Sequence, residues 1–150
     1  MGLYGALKVV HVLSVVLWLG GGAAITIITA QIMRAKDLTA LGKLLPFTAR
    51  FGPTIGGPSS GLVLLTGIAM VSVSGLGFKS LWISLGFAGM IVHFVAGPLL
   101  LRPLAIAFGK AVAASNETQI AVAGSRLRNA STMYLVLMMA VAAVMVIKPM

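Results

Sequence analysis

Twenty-five residues, Val9 to Met33, contain one ionisable side chain, His11. A helix of about 20 residues crosses a bilayer's hydrocarbon core, so this stretch reads as a first transmembrane helix, covering about residues 5–33. At helical spacing Tyr4, Lys8, His11, Val15, Trp18, Gly22, Ile25 and Thr29 share one face, with Ser14 and Thr26 beside it. That face is more polar and richer in small residues than the others. Lipid offers no partner for an imidazole or a hydroxyl, whereas a neighbouring helix does, so His11 is expected to point inward. Lys8 before the run and Thr29 and Ala30 near its end would suit a cleavable signal, but the apolar run is longer than such signals carry.

The remainder of the chain calls for the same solvent. Of 150 residues 59% are hydrophobic and 9% charged, with mean hydropathy +1.09, more apolar surface than a water-soluble core of this size can hide. The net charge of +9 raises the question of a nucleic-acid partner. The basic residues fall between the apolar runs with no aromatic residues interleaved for base stacking, which favours topology signals and contact with anionic membrane lipids, and no nucleic acid. The absence of cysteine excludes disulfides, thiolate metal sites, iron–sulfur clusters and cysteine nucleophiles.

Along the chain, residues 34–50 carry four Lys or Arg and a stripe of Leu38, Leu41, Leu44 and Leu45. This predicts a short helix on the membrane surface, ended by Pro46 before the next span. A second span follows at about 54–74, where Pro58, Ser59 and Ser60 form either a kink or a first turn. Residues 74–80 make a tight hairpin connection. The third span, about 79–101, contains His93 and a small-residue surface of Gly86, Gly89 and Gly97. Residues 103–128 are mixed in polarity, with a break and helix cap at 115–118, and are expected to project from the membrane as a helical hairpin. The fourth span, about 130–148, is rich in methionine taken as packing material.

The expected fold class is therefore all-α: one polytopic domain over 1–150, four transmembrane helices in a bundle, and a cytoplasmic helical extension between spans three and four. Four Lys or Arg in each of the segments 34–50 and 102–128, against one in 74–80, put both long loops in the cytoplasm and both termini outside.

The only acids, Asp37 and Glu117, lie in the aqueous segments, which leaves the spans without a carboxylate for a proton relay or cation site. Two intramembrane histidines remain. Neutral imidazole is an axial ligand for haem iron, for copper or for the magnesium of a chlorophyll. His11 is the first candidate ligand to a cofactor or metal, with Lys8, Ser14 and Trp18 as its surroundings, and His93 is the second. A bis-histidine haem b is opposed by depth. His11 lies 23 residues before Arg34 but His93 only nine before Arg102, a mismatch of roughly 20 Å at helical rise. One histidine with a different second ligand, or a site shared between chains, fits better. The competing reading makes each histidine a hydrogen-bonding partner of a neighbouring helix. Two non-cofactor roles stand beside it. The glycine faces suit an accessory subunit of a homo-oligomer or larger membrane complex; a transporter would need a polar cavity near Pro58, Ser59 and Thr66.

The pattern L-K-x-x-H-V-L-S-x-V-x-W-x-G-G-G at Leu7 to Gly22 resembles the first helix of a bacterial superfamily of small integral membrane proteins. It includes an uncharacterised predicted integral-membrane family, to which the chain is most similar, the copper-resistance D-like membrane domain, and the four-helix protoporphyrinogen oxidase. The similarity extends to R-F-G-P-x-x-G-G-P at Arg50 to Pro58, L-L-T-G at Leu64 to Gly67, and Trp82 with His93. It implies a four-helix protein of the bacterial inner membrane. The oxidase comparison implies haem association, its first- and third-helix histidines mapping to His11 and His93; the copper-resistance comparison implies copper handling. The oxidase's arginine near the end of the first helix's core and its lysine early in the third helix have no counterpart here, where isoleucines and threonines, and Leu85 and Gly86, stand instead. Oxidase turnover is accordingly not expected.

Overall fold

A computed structural model describes residues 2–75 and 80–148. They form four helices, α1 (Leu3–Ala35), α2 (Leu38–Ser74), α3 (Leu81–Ala113) and α4 (Glu117–Ile147), each long and apolar enough to cross a membrane, and no strand is found among the described residues. Residues 76–79, most of the expected 74–80 connection, lie outside the described residues. At 31 to 37 residues each helix exceeds the roughly 20 needed to span. The surplus is gathered at one end of the bundle, where α1 meets α2 and α3 meets α4.

Both turns at that end are built from local chemistry. Lys36 takes a left-handed conformation (φ 55°) and the Asp37 carboxylate accepts a 2.8 Å hydrogen bond from the Ala40 N–H, closing α1 and opening α2. Ser115 is likewise left-handed (φ 49°), and Asn116 Oδ1 accepts from the Gln119 N–H at 3.0 Å, the cap expected at 115–118. Turns this short force neighbouring helices to run antiparallel. Asn116→Ala is expected to cost about 1 kcal/mol, read as a lower unfolding midpoint in detergent.

Two clusters hold the helices together. Within the spans Trp18, Leu19, Val63, Met90 and Met138 bring side chains from all four helices to one level. In the surplus turns Leu41, Phe108, Ala111 and Ile120 pack together, with Ile32 and Met33 against them. The second cluster is the expected helical hairpin of 103–128, built from the continuous ends of α3 and α4. It corrects the reading of residues 34–50. Leu41 and Leu45 of the leucine stripe pack against the α3–α4 hairpin, with Leu41 only 1% exposed and Leu38 left outside the cluster, and the helix continues through Pro46 into span two. Pro46 removes one backbone bond on the exposed side, while Leu41 and Leu45 hold the preceding turns in line.

Three helices also contain a wide, π-type turn: Val16–Gly20 in α1, Gly52–Gly56 in α2 and Gly97–Leu101 in α3. The last two are bracketed by prolines five residues apart, Pro53 with Pro58 and Pro98 with Pro103. A proline cannot donate, and its ring crowds the carbonyl four residues back. Here the Gly57 N–H reaches the Gly52 carbonyl and the Arg102 N–H reaches that of Gly97, each five residues back. The wider turn thus carries the helix past both prolines unbroken, so α2 neither stops nor restarts at Pro58.

Glycine is required where helices nearly touch. A Cβ on Gly21 would lie 2.5 Å from the Phe51 ring, and one on Gly89 would lie 2.7 Å from both methyls of Val141. At Gly86 the space is taken by the flexible end of Met145, which could yield to a small side chain. The span-three glycine face is therefore occupied by α4 of the same chain at Gly86 and Gly89. Met138 and Met145 act as internal packing, whereas Met133 and Met139 face outward.

Candidate functional site

The α1 face bearing His11 turns inward, as its composition predicts. His11 is half-buried against α2, where its Nδ1 lies 2.9 Å from Thr66 Oγ1. Gly67, next in the chain, lies beside the ring, where a Cβ would make ordinary contact with His11 Cε1 at 3.6 Å. The hydroxyl's own proton is committed elsewhere, because Thr66 Oγ1 donates to the Leu62 carbonyl at 2.5 Å. Toward the imidazole Thr66 is therefore the acceptor, and His11 donates from Nδ1. An uncharged ring with its proton on Nδ1 keeps a lone pair on Nε2.

His93 is placed differently. Its Nδ1 meets the Tyr134 hydroxyl, its ring stands edge-on to Trp18 with centroids 4.4 Å apart, and Phe94 lies at 4.9 Å. Trp18, in the wide turn of α1 and 8% exposed, Tyr134 on α4 and His93 on α3 thus form one hydrogen-bonded and stacked unit that ties three helices.

The two histidines are not brought together. Trp18, level with His93, is seven residues along α1 from His11, about 10 Å at helical rise. That is half the offset the sequence implies, because Arg102 does not mark the end of its helix as Arg34 does. Arg34 is one residue from the end of α1, whereas α3 runs eleven residues past Arg102. Of the other candidates, Trp18 belongs to the His93 unit, Ser14 is buried at 4% exposure, and Lys8 is exposed on the His11 face.

Sequence reasoning did not pair His11 with Thr66, and it missed Tyr134. Thr66 was visible as the polar residue of the L-L-T-G stretch, and Tyr134 as one of two tyrosines, set in an otherwise aliphatic span. Neither signal says which histidine it serves. Nearer the start of span two, Ser59 and Ser60 are also buried, with the Ser60 hydroxyl donating to the Gly57 carbonyl at 2.9 Å.

Four apolar antiparallel helices, meeting in a dry cluster and carrying their polar groups as internal histidine–hydroxyl pairs, define an integral membrane protein of the four-helix kind. The chain belongs to the predicted integral membrane protein family DUF2269, whose sequence profile matches residues 5–149. No curated protein and no solved structure matches it.

Proposed function

We propose that this protein is a haem-associated membrane protein in which His11 is the protein's ligand to the iron. The observation that carries the reading is the hydrogen bond from His11 Nδ1 to Thr66, which fixes the ring and leaves Nε2 unprotonated. Ligating histidines are typically held this way, by a partner on the other nitrogen. The donor set favours a porphyrin over a bare ion. No group of three or more His, Cys, Asp or Glu able to hold a metal ion occurs among the described residues, whereas a porphyrin brings four nitrogen donors and asks the protein for one or two. Lys8, on the same face and three residues nearer the end of α1, supplies a cation for a porphyrin carboxylate. Haem, when bound, supplies a one-electron couple at its iron. The likeness of the first-helix motif to that of the four-helix protoporphyrinogen oxidase supports binding; the missing arginine and lysine confine the proposal to binding.

His93 is assigned to architecture, since its Nδ1 is engaged by the Tyr134 hydroxyl and its ring packs against Trp18 and Phe94. The test is an absorption spectrum of protein purified in mild detergent, oxidised and then dithionite-reduced, with metal analysis of the same sample. A Soret band with reduced α and β bands is the expected result. Protein that stays colourless and metal-free after incubation with haemin would overturn the proposal.

The Thr66 contact yields a graded prediction. Thr66→Val keeps the shape of the side chain and removes the acceptor, so haem affinity is expected to fall by about 10- to 100-fold in a haemin titration. Unchanged affinity would show that Thr66 does not orient the ligand.

A further inference from the structure

Eight of the eleven Lys and Arg lie in 34–50 and 102–128, the end of the bundle where the helices overrun the membrane, together with both acids of the chain. Asp37 is occupied as a helix cap, and Glu117 opens α4. None of the eight cations is ion-paired with a described residue. That end therefore presents an excess of positive charge that an anionic partner would complement.

Beside the wide turn of α3, Pro98, Arg102, Pro103, Ile106, Ala107 and Lys110, all on one helix face, border a shallow, open cleft of about 500 Å³. Its position is set by helix geometry. Residues 81–101 of α3 span about 31 Å, the thickness of a hydrocarbon core, which puts Arg102 at headgroup level. Pro98 and Ile106 are exposed alongside it, and Leu99 and Leu100 are 74% and 49% exposed just above. The ligand that meets both kinds of surface has a phosphodiester for the Arg102 fork and the Lys110 ammonium, and a hydrocarbon end for the prolines and leucines. An acidic protein or an RNA satisfies the charges and leaves the apolar half unmet.

We propose that the cleft at Pro98, Arg102, Pro103, Ile106 and Lys110 is a binding site for one anionic phospholipid of the adjacent leaflet. It is independent of the reading of His11. A lone basic belt would attract lipid diffusely; this site predicts dependence on two particular residues.

The full-length chain, purified in nonionic detergent, is mixed with equal amounts of dioleoylphosphatidylglycerol and dioleoylphosphatidylcholine, and retained lipid is counted by native mass spectrometry. Glycerol phosphate forms a third arm. Wild type is expected to retain phosphatidylglycerol over phosphatidylcholine and not to retain glycerol phosphate. The R102Q/K110Q pair is expected to lower phosphatidylglycerol retention about tenfold, each single variant about threefold, and K43Q/R50Q, which removes equal charge from the same end, less than twofold. All four side chains are exposed, so the variants should fold, and circular dichroism checks that they do. An equal loss in K43Q/R50Q would replace the site with a diffuse field. Retention of glycerol phosphate in place of the lipid would make it a site for small anions. Equal retention of both lipids by wild type would overturn the assignment and leave the cations to an acidic protein or RNA.

Discussion

Replacing Trp18 with alanine is expected to destabilise the bundle by about 3–5 kcal/mol, the range for removing a large buried aromatic side chain and leaving a cavity. Trp18 is where the helices converge. It is 8% exposed, packs in one cluster with Val63 of α2, Met90 of α3 and Met138 of α4, and stands edge-on to His93. Three neighbours are on different helices, so no single relaxation closes the hole. A Trp18→Phe chain keeps a smaller ring in the cluster and beside His93, so a lesser cost of about 1 kcal/mol is expected. Unfolding in dodecyl maltoside, followed by circular dichroism across increasing SDS, separates the three chains. Trp18→Ala matching wild type would show that the four helices do not depend on this junction.

Phe108→Ala is expected to lose a comparable amount, about 3–5 kcal/mol, in a different part of the molecule. Phe108 is 0% exposed in the cluster formed with Leu41, Ala111 and Ile120, where the surplus turns of α2, α3 and α4 meet. Here the solvent is water, so the burial carries the full hydrophobic driving force that is missing between helices in lipid. A Cβ on Gly124 would collide with the Met33 methyl and lie 3.0 Å from the Phe108 ring, so the space is filled from both sides. Limited trypsin digestion reads the effect locally, because Lys110, Arg126 and Arg128 flank the cluster. Faster cleavage there is expected, with the spans protected and the His11–Thr66 contact intact. Cleavage at the wild-type rate would contradict this packing.

The transmembrane part of the fold was legible because it follows from one solvent. Long apolar runs, glycine-bearing faces and the Asn116 cap each act locally, and their consequences appear at Gly21, Gly89 and Gln119. The surplus turns were harder to read. The Leu41–Leu45 stripe looks the same whether its partner is a membrane surface or another helix, and only the tertiary position of Phe108 and Ile120 decides. Pro46 misleads for a related reason: its local cost is set against packing that the local sequence does not display. The proline pairs Pro53 with Pro58 and Pro98 with Pro103 carried a further clue, since a spacing of five suits a wide turn that a spacing of four does not.

Of the candidate site, His11 and its inward face were legible from helical spacing, while its partner was not. Thr66 is 55 residues away, and the hydroxyl that holds His11 resembles any other threonine in an apolar span. Counting from Arg102 overstates the depth difference of His93, because α3 runs eleven residues past that arginine. Basic residues mark where a chain reaches headgroups, and helices run on past them.

The central claim is that His11, held by Thr66, is a ligand while His93 is not. Visible spectra of His11→Ala and His93→Ala, each reconstituted with haemin and reduced, test it most directly, with protein concentration matched by folded fraction. The account predicts that His11→Ala loses the Soret band and recovers it when imidazole is added, whereas His93→Ala keeps the band at wild-type intensity. A His11→Ala protein that keeps its band, or a His93→Ala protein that loses it while folded, would contradict the assignment.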